Sequence, residues 1–91
     1  MIHNKLIAEF MELPIEIFNS GLLNYYHREY NSGTWYEERE LSYDISWDWL
    51  MPVVEKILNE SNNNEINVTP NIEVTYKEVV EFIKIYNNKK I

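Results

Sequence analysis

Apolar residues recur at helical spacing in three stretches of the chain, and between the first two the spacing changes to alternation. In NKLIAEFMEL, residues 4–13, Leu6, Ile7, Phe10 and Leu13 fall along one side of a short helix that Asn4 is placed to cap and Pro14 to stop. In SWDWLMPVVEKIL, Trp47, Leu50, Met51, Val54, Ile57 and Leu58 form one stripe behind an N-cap at Ser46, with Asp48 in the first turn where its charge suits the helix dipole. Trp49 lies beside Val53 on a second face, and its role stays open between core and contact. Pro52 cannot donate to the carbonyl of Asp48, so it predicts a kink or an irregular first turn. After Pro70, Ile72, Tyr76, Val79, Val80, Ile83 and Tyr86 carry the strongest helical stripe. Val74, Phe82 and Ile85 widen it, and two asparagines and two lysines end it.

The alternating region, 21–43, reads as two β-type runs, LLNYYHREY and TWYEERELSY, about the turn NSG. In the second run Trp35, Glu37, Arg39, Leu41 and Tyr43 share one face, and Tyr36, Glu38, Glu40 and Ser42 share the other. Neither face is purely apolar, which predicts a hairpin half covered and half wet. The tract NESNNNEINVTP reads as a polar linker with a short extended piece at 66–68. Two long helices packed on each other, closed by the hairpin and the short first helix, give a small α+β fold that takes the whole chain, 1–91, as a single domain.

Composition sharpens this picture. A chain of 91 residues buries only roughly 60% of its unfolded surface, which argues against a large active-site cleft. Seven tyrosines and three tryptophans supply much of the apolar area a core needs. The net charge of −7 is uneven: residues 1–30 carry −2, residues 31–60 carry −5 and residues 61–91 carry none. Acidity concentrated in the middle third repels nucleic acid and attracts basic partners, although charge of this size also serves solubility. No cysteine is present, which excludes disulfides and thiolate zinc sites and suits a reducing cytoplasm. The N-terminus lacks a signal-peptide layout, and no apolar run is long enough to span a membrane.

Chemistry-bearing motifs are sparse. His27 lies in YYHREY, where on a strand it shares a face with Glu29, the spacing of an ordinary polar strand face; His3 is near the terminus. Glu37 with Glu38 and Asp44 with Asp48 are carboxylate pairs, but acid–base work needs one carboxyl desolvated against a substrate pocket, and their neighbours do not force that. There is no glycine-rich phosphate loop, so the expectation is a protein that is not an enzyme and holds no cofactor or metal. Arg28 and Arg39 interleave with aromatics, yet acids outnumber bases there, which disfavours phosphate contact. Exposed Tyr, Trp and Arg fit a protein interface better.

Three blocks, NKLIAEFM at 4–11, SWDWLMPVVEKI at 46–57 and YKEVVEFIKIYN at 76–87, resemble a group of small phage and prophage proteins of Bacteroidetes-type bacteria. They cover about a third of the chain; residues 13–45 depart from the group's pattern, as does the Asn-rich tract at 59–71. In size and apparent origin the chain is similar to the anti-CRISPR proteins that act on the type VI-B RNA-guided ribonuclease. The resemblance implies an inhibitor of bacterial immunity working in the host cytoplasm, with no membrane partner. The chain is expected to be a monomer, with pairing of an exposed strand edge to another copy as the alternative. It implies that Glu37, Glu38, Glu40 and Asp44, with Trp35 and Tyr36 as anchors, contact the nuclease's basic channel and disturb guide-RNA binding or function. The competing expectation is a non-enzymatic phage structural or accessory module.

Overall fold

The alternation of the middle region is realised as strands, but there are three rather than two. A computed structural model describes residues 3–19, 21–29, 32–60 and 66–89, and these form a small compact α+β domain. Strands β1 (Ile15–Ile17), β2 (Leu23–Glu29) and β3 (Ser32–Glu37) make an antiparallel sheet in the order β1-β2-β3. The alternating triplet IEI behind Pro14 is too short to stand out as a run, yet it pairs in register, Ile15 with Tyr25 and Ile17 with Leu23. Of the expected NSG turn, Asn31 lies outside the described residues. Ser32 already opens β3, and Gly33 sits inside the strand opposite Arg28. The Tyr26 ring lies over Gly33, where any Cβ would run into it, so the glycine serves a close approach and not the turn.

Strand β3 stops at Glu37, short of the expected end at Tyr43. A single 3-10 turn, Glu38–Glu40, follows, and Glu37 and Glu40 close a capping box in which the Glu37 N–H donates to Glu40 Oε1 at 2.9 Å. The turn takes Leu41 and Tyr43 out of the sheet and into the core, where both are buried. The face assignment expected for residues 39–43 therefore fails at this turn.

Helices α1 (Asn4–Phe10), α2 (Trp47–Glu60) and α3 (Ile72–Lys89) complete the fold, with α3 in contact with both of the others. The stripe expected on α3 is mostly the buried one: Tyr76, Val79, Val80 and Ile83 are core, joined by Thr75, while Ile72, Phe82 and Tyr86 pack at its edge and Val74 and Ile85 stay exposed. Asn71 caps α3, its Oδ1 accepting the Glu73 N–H at 2.9 Å. Ile66 is buried in the core, and residues 66–68 join no strand; residues 61–65 of the Asn-rich tract lie outside the described residues.

Two expectations change at α1 and α2. On α2 the buried residues are Trp49, Leu50, Val53, Val54 and Ile57, whereas Met51 and Leu58 are exposed and Trp47 is only half-buried. The apolar arc of this helix is wider than its buried part, and the ring that finds aromatic partners on the sheet decides which part goes in. Helix α2 is continuous through Pro52. At α1, Asn4 is not the cap but the first helical residue, and its buried side chain works at long range instead. Nδ2 donates to the Leu41 carbonyl at 2.7 Å and to Asp44 Oδ1 at 2.9 Å, and Oδ1 accepts the Tyr76 hydroxyl at 2.9 Å. One side chain thus ties α1, the segment after the 3-10 turn, and α3. At its far end α1 closes with Glu12 at φ 57°, the Leu13 N–H donating to Ala8 O and the Glu12 N–H to Glu9 O.

Candidate interaction surface

The six residues singled out in the sequence are separated by the strand pleat and by the 3-10 turn. Trp35 pairs with Tyr26 across the ladder, and both project on the outer face of the sheet. Its ring meets Tyr26 at 5.1 Å and Phe18 at 5.4 Å, both near edge-on. Phe18, just past β1, is 41% exposed, and Tyr26 and Trp35 are half-exposed, so three aromatic rings form an open cluster on this face. Tyr36 points the other way: its ring meets Trp49 at 5.1 Å and His27 at 6.2 Å on the inner face. Tyr36 is therefore part of the sheet–helix packing and does not share a surface with Trp35.

Glu37, Glu38 and Glu40 stay together because they surround the 3-10 turn, with Glu38 and Glu40 exposed. Arg39 reaches back to Glu37 at 3.1 Å and is itself 80% exposed in its side chain, so this pair is screened by water and contributes little to stability. Asp44 is half-buried and accepts from Asn4, which fixes its carboxylate at the edge of the core. Glu37, Glu38 and Asp44 line a common open groove of about 780 Å³ with Leu22, Leu23 and Ile45.

His27 is built into the inner layer. Its imidazole stacks on the Trp49 indole at 3.7 Å and 12°, and Tyr43 meets the same indole edge-on at 5.1 Å. Burial pushes the Tyr43 hydroxyl well above the ordinary tyrosine pKa, and this hydroxyl has no hydrogen-bond partner among the described residues. Tyr25 is also pushed up, by burial first and then by the charges of Glu38 and Glu9. Tyr76 rises by burial; the His3 N–H that donates to its oxygen at 2.7 Å works in the opposite sense, and the Asp44 charge adds to the rise. These shifts follow from packing, and each keeps a hydroxyl neutral. Asp48 is exposed in the first turn of α2. Among the described residues no three His, Asp or Glu side chains come together as a metal site.

Sequence reasoning missed Phe18 and Ile45, which lie outside the periodic runs, and Leu22, which opens the run LLNYYHREY but precedes β2. Their signal was an apolar residue among turn residues, at the chain's bends. No family model matches the chain, and no significant match is found among curated proteins or solved structures.

Proposed function

We propose that this protein is a non-enzymatic inhibitor that works by binding, its partner a basic, RNA-guided nuclease of the type VI-B class and its site of action the host cytoplasm. The observation that carries this reading is the meeting of two features at the end of β3. Three glutamates, Glu37, Glu38 and Glu40, surround one capped turn, and the strand feeding it presents Trp35 beside Tyr26 and Phe18 on an open face. Aromatic anchors rimmed by one sign of charge suit a contact with a guide-binding channel, where arginine and lysine are concentrated. Occupying that channel with carboxylates would compete with guide RNA for the same cations and disturb its binding. That no helix among the described residues is long and apolar enough to cross a membrane agrees with this reading.

A phage structural or accessory module is the second reading, and one observation favours it. Ile15 and Ile17 of the edge strand β1 are 51% and 65% exposed, a surface fit for an apolar, salt-insensitive contact. Pull-down of the tagged chain from cells carrying type VI-B and other defence systems, washed at low and high salt, separates the two. The inhibitor reading expects a guide-RNA-binding nuclease that is lost as salt rises. Phage structural proteins held at every salt concentration would replace it with the module.

A further inference from the structure

The inner face of the sheet extends beyond the helices that cover it. Tyr25, at the centre of that face, is buried, but its cross-strand neighbour Ile15 is exposed, as are Ile17 and its partner Leu23. From Leu23 the surface opens into the groove of about 780 Å³ bounded by the bend at Leu22, by Glu37 and Glu38, and by Asp44 and Ile45. Ile45 is 75% exposed, the most exposed large apolar side chain among the described residues. It stands between this groove and a second one, of about 580 Å³, that runs along α3. Ile17, Leu23, Leu22 and Ile45 thus form an aliphatic strip on the side of the acidic turn opposite Trp35.

The rim of the strip selects what can cover it. Glu37, Glu38 and Asp44 bring three carboxylates to the groove, against the one guanidinium of Arg39, which is engaged by Glu37 at 3.1 Å. A second copy of the chain would bring the same carboxylates against each other across a two-fold axis, where like charges repel. An acidic or neutral segment would leave them desolvated without a counter-charge. A segment whose aliphatic side chains are flanked by lysine or arginine meets both the strip and its rim.

We infer that this groove is the docking site for a basic, aliphatic segment of the partner protein, so that the interface wraps around the acidic turn and is not confined to the outer aromatic face. The inference rests on the proposed binding function and names the part of the partner that the chain holds. It is tested by nuclear magnetic resonance titration of the isotope-labelled full chain with two short synthetic peptides. One alternates leucine and valine with lysine and arginine, and the other alternates the same aliphatics with aspartate and glutamate.

The basic peptide should shift the signals of Leu22, Leu23, Glu38 and Ile45, and the acidic one should leave them in place. Ile45→Glu and Glu38→Lys should each weaken basic-peptide binding by about tenfold or more, while Ile85→Glu, the same change at an exposed position on α3, should stay within about twofold of the native chain. Both sites are solvent-exposed, and the dispersion of the spectra reports directly whether each variant is folded. Equal binding of both peptides, no binding, shifts confined to Phe18 and Trp35, or a dimer that Ile45→Glu dissolves would each overturn the inference. The nuclease pull-down keeps the two proposals apart. Undiminished recovery of the nuclease by Ile45→Glu overturns the groove and leaves the inhibitor reading standing. Peptide binding at the groove by a chain that recovers no nuclease upholds the groove and removes the reading.

Discussion

The hairpin carries an aromatic cluster on each face, and the two are built from similar residues for opposite ends. On the inner face, His27 and Tyr36 meet Trp49 from α2 and Tyr43 from the segment before it, with His27 and the indole in parallel contact at 3.7 Å. On the outer face, Tyr26 and Trp35 meet Phe18 and remain half-exposed. Ring chemistry does not assign these roles. Layering does: the face under α2 becomes core, and the other face leaves its aromatic area open to solvent.

The largest test of this contrast is Trp49→Ala. Removing the ring that joins helix to sheet should cost about 3–5 kcal/mol in urea unfolding followed by circular dichroism, a large part of the roughly 5–15 kcal/mol expected of such a domain. A loss under about 1 kcal/mol would mean that the inner cluster does not anchor α2. Next in size is Asn4→Ala, which strips partners from the Leu41 carbonyl and the Tyr76 hydroxyl and should cost about 2–3 kcal/mol by the same measurement.

Alkaline pH probes the inner layer without a mutation. In the folded chain burial holds the Tyr43, Tyr25 and Tyr76 protons above the ordinary tyrosine range, whereas the unfolded chain releases them near pH ~10. Their titration therefore leaves stability unchanged below about pH 10 and subtracts from it as pH climbs from there towards their raised values. Ultraviolet titration should show late tyrosinate absorbance that coincides with unfolding. Tyr43→Phe, which deletes a buried hydroxyl with no partner among the described residues, should be neutral or stabilising by up to about 1 kcal/mol at neutral pH and should delay the alkaline transition. The smallest effect belongs to the outer face: Trp35→Ala should change folding stability by about 1 kcal/mol or less, yet remove binding to the nuclease. Loss of the fold instead would make the outer cluster a second core.

The helices were legible because their stripes are long; α3 follows its pattern from Ile72 to Tyr86 with only its flanks left wet. Helix α2 was legible as a helix but not in its orientation. Its apolar residues span more of the circumference than one neighbour can cover, and the choice of Trp49 over Trp47 depends on where His27, Tyr36 and Tyr43 stand. Strand β1 escaped notice because three residues are too few to show a period. Strand β3 was read too far because the Glu37–Glu40 capping box looks, in sequence, like more alternation. Of the candidate contact residues, the three glutamates, which the alternation divided between two faces, lie together around the 3-10 turn. Trp35 and Tyr36 stand on opposite faces of the sheet, as their alternation in the run requires.

The most direct test of the binding account is the association rate of the chain with a type VI-B nuclease, measured by stopped flow across a salt series for the native chain and for the Glu37→Lys, Glu38→Lys, Glu40→Lys triple variant. The account predicts a native rate that falls steeply as salt rises, and a triple variant that is folded by circular dichroism but does not bind. Binding that ignores salt and survives the triple reversal would contradict it.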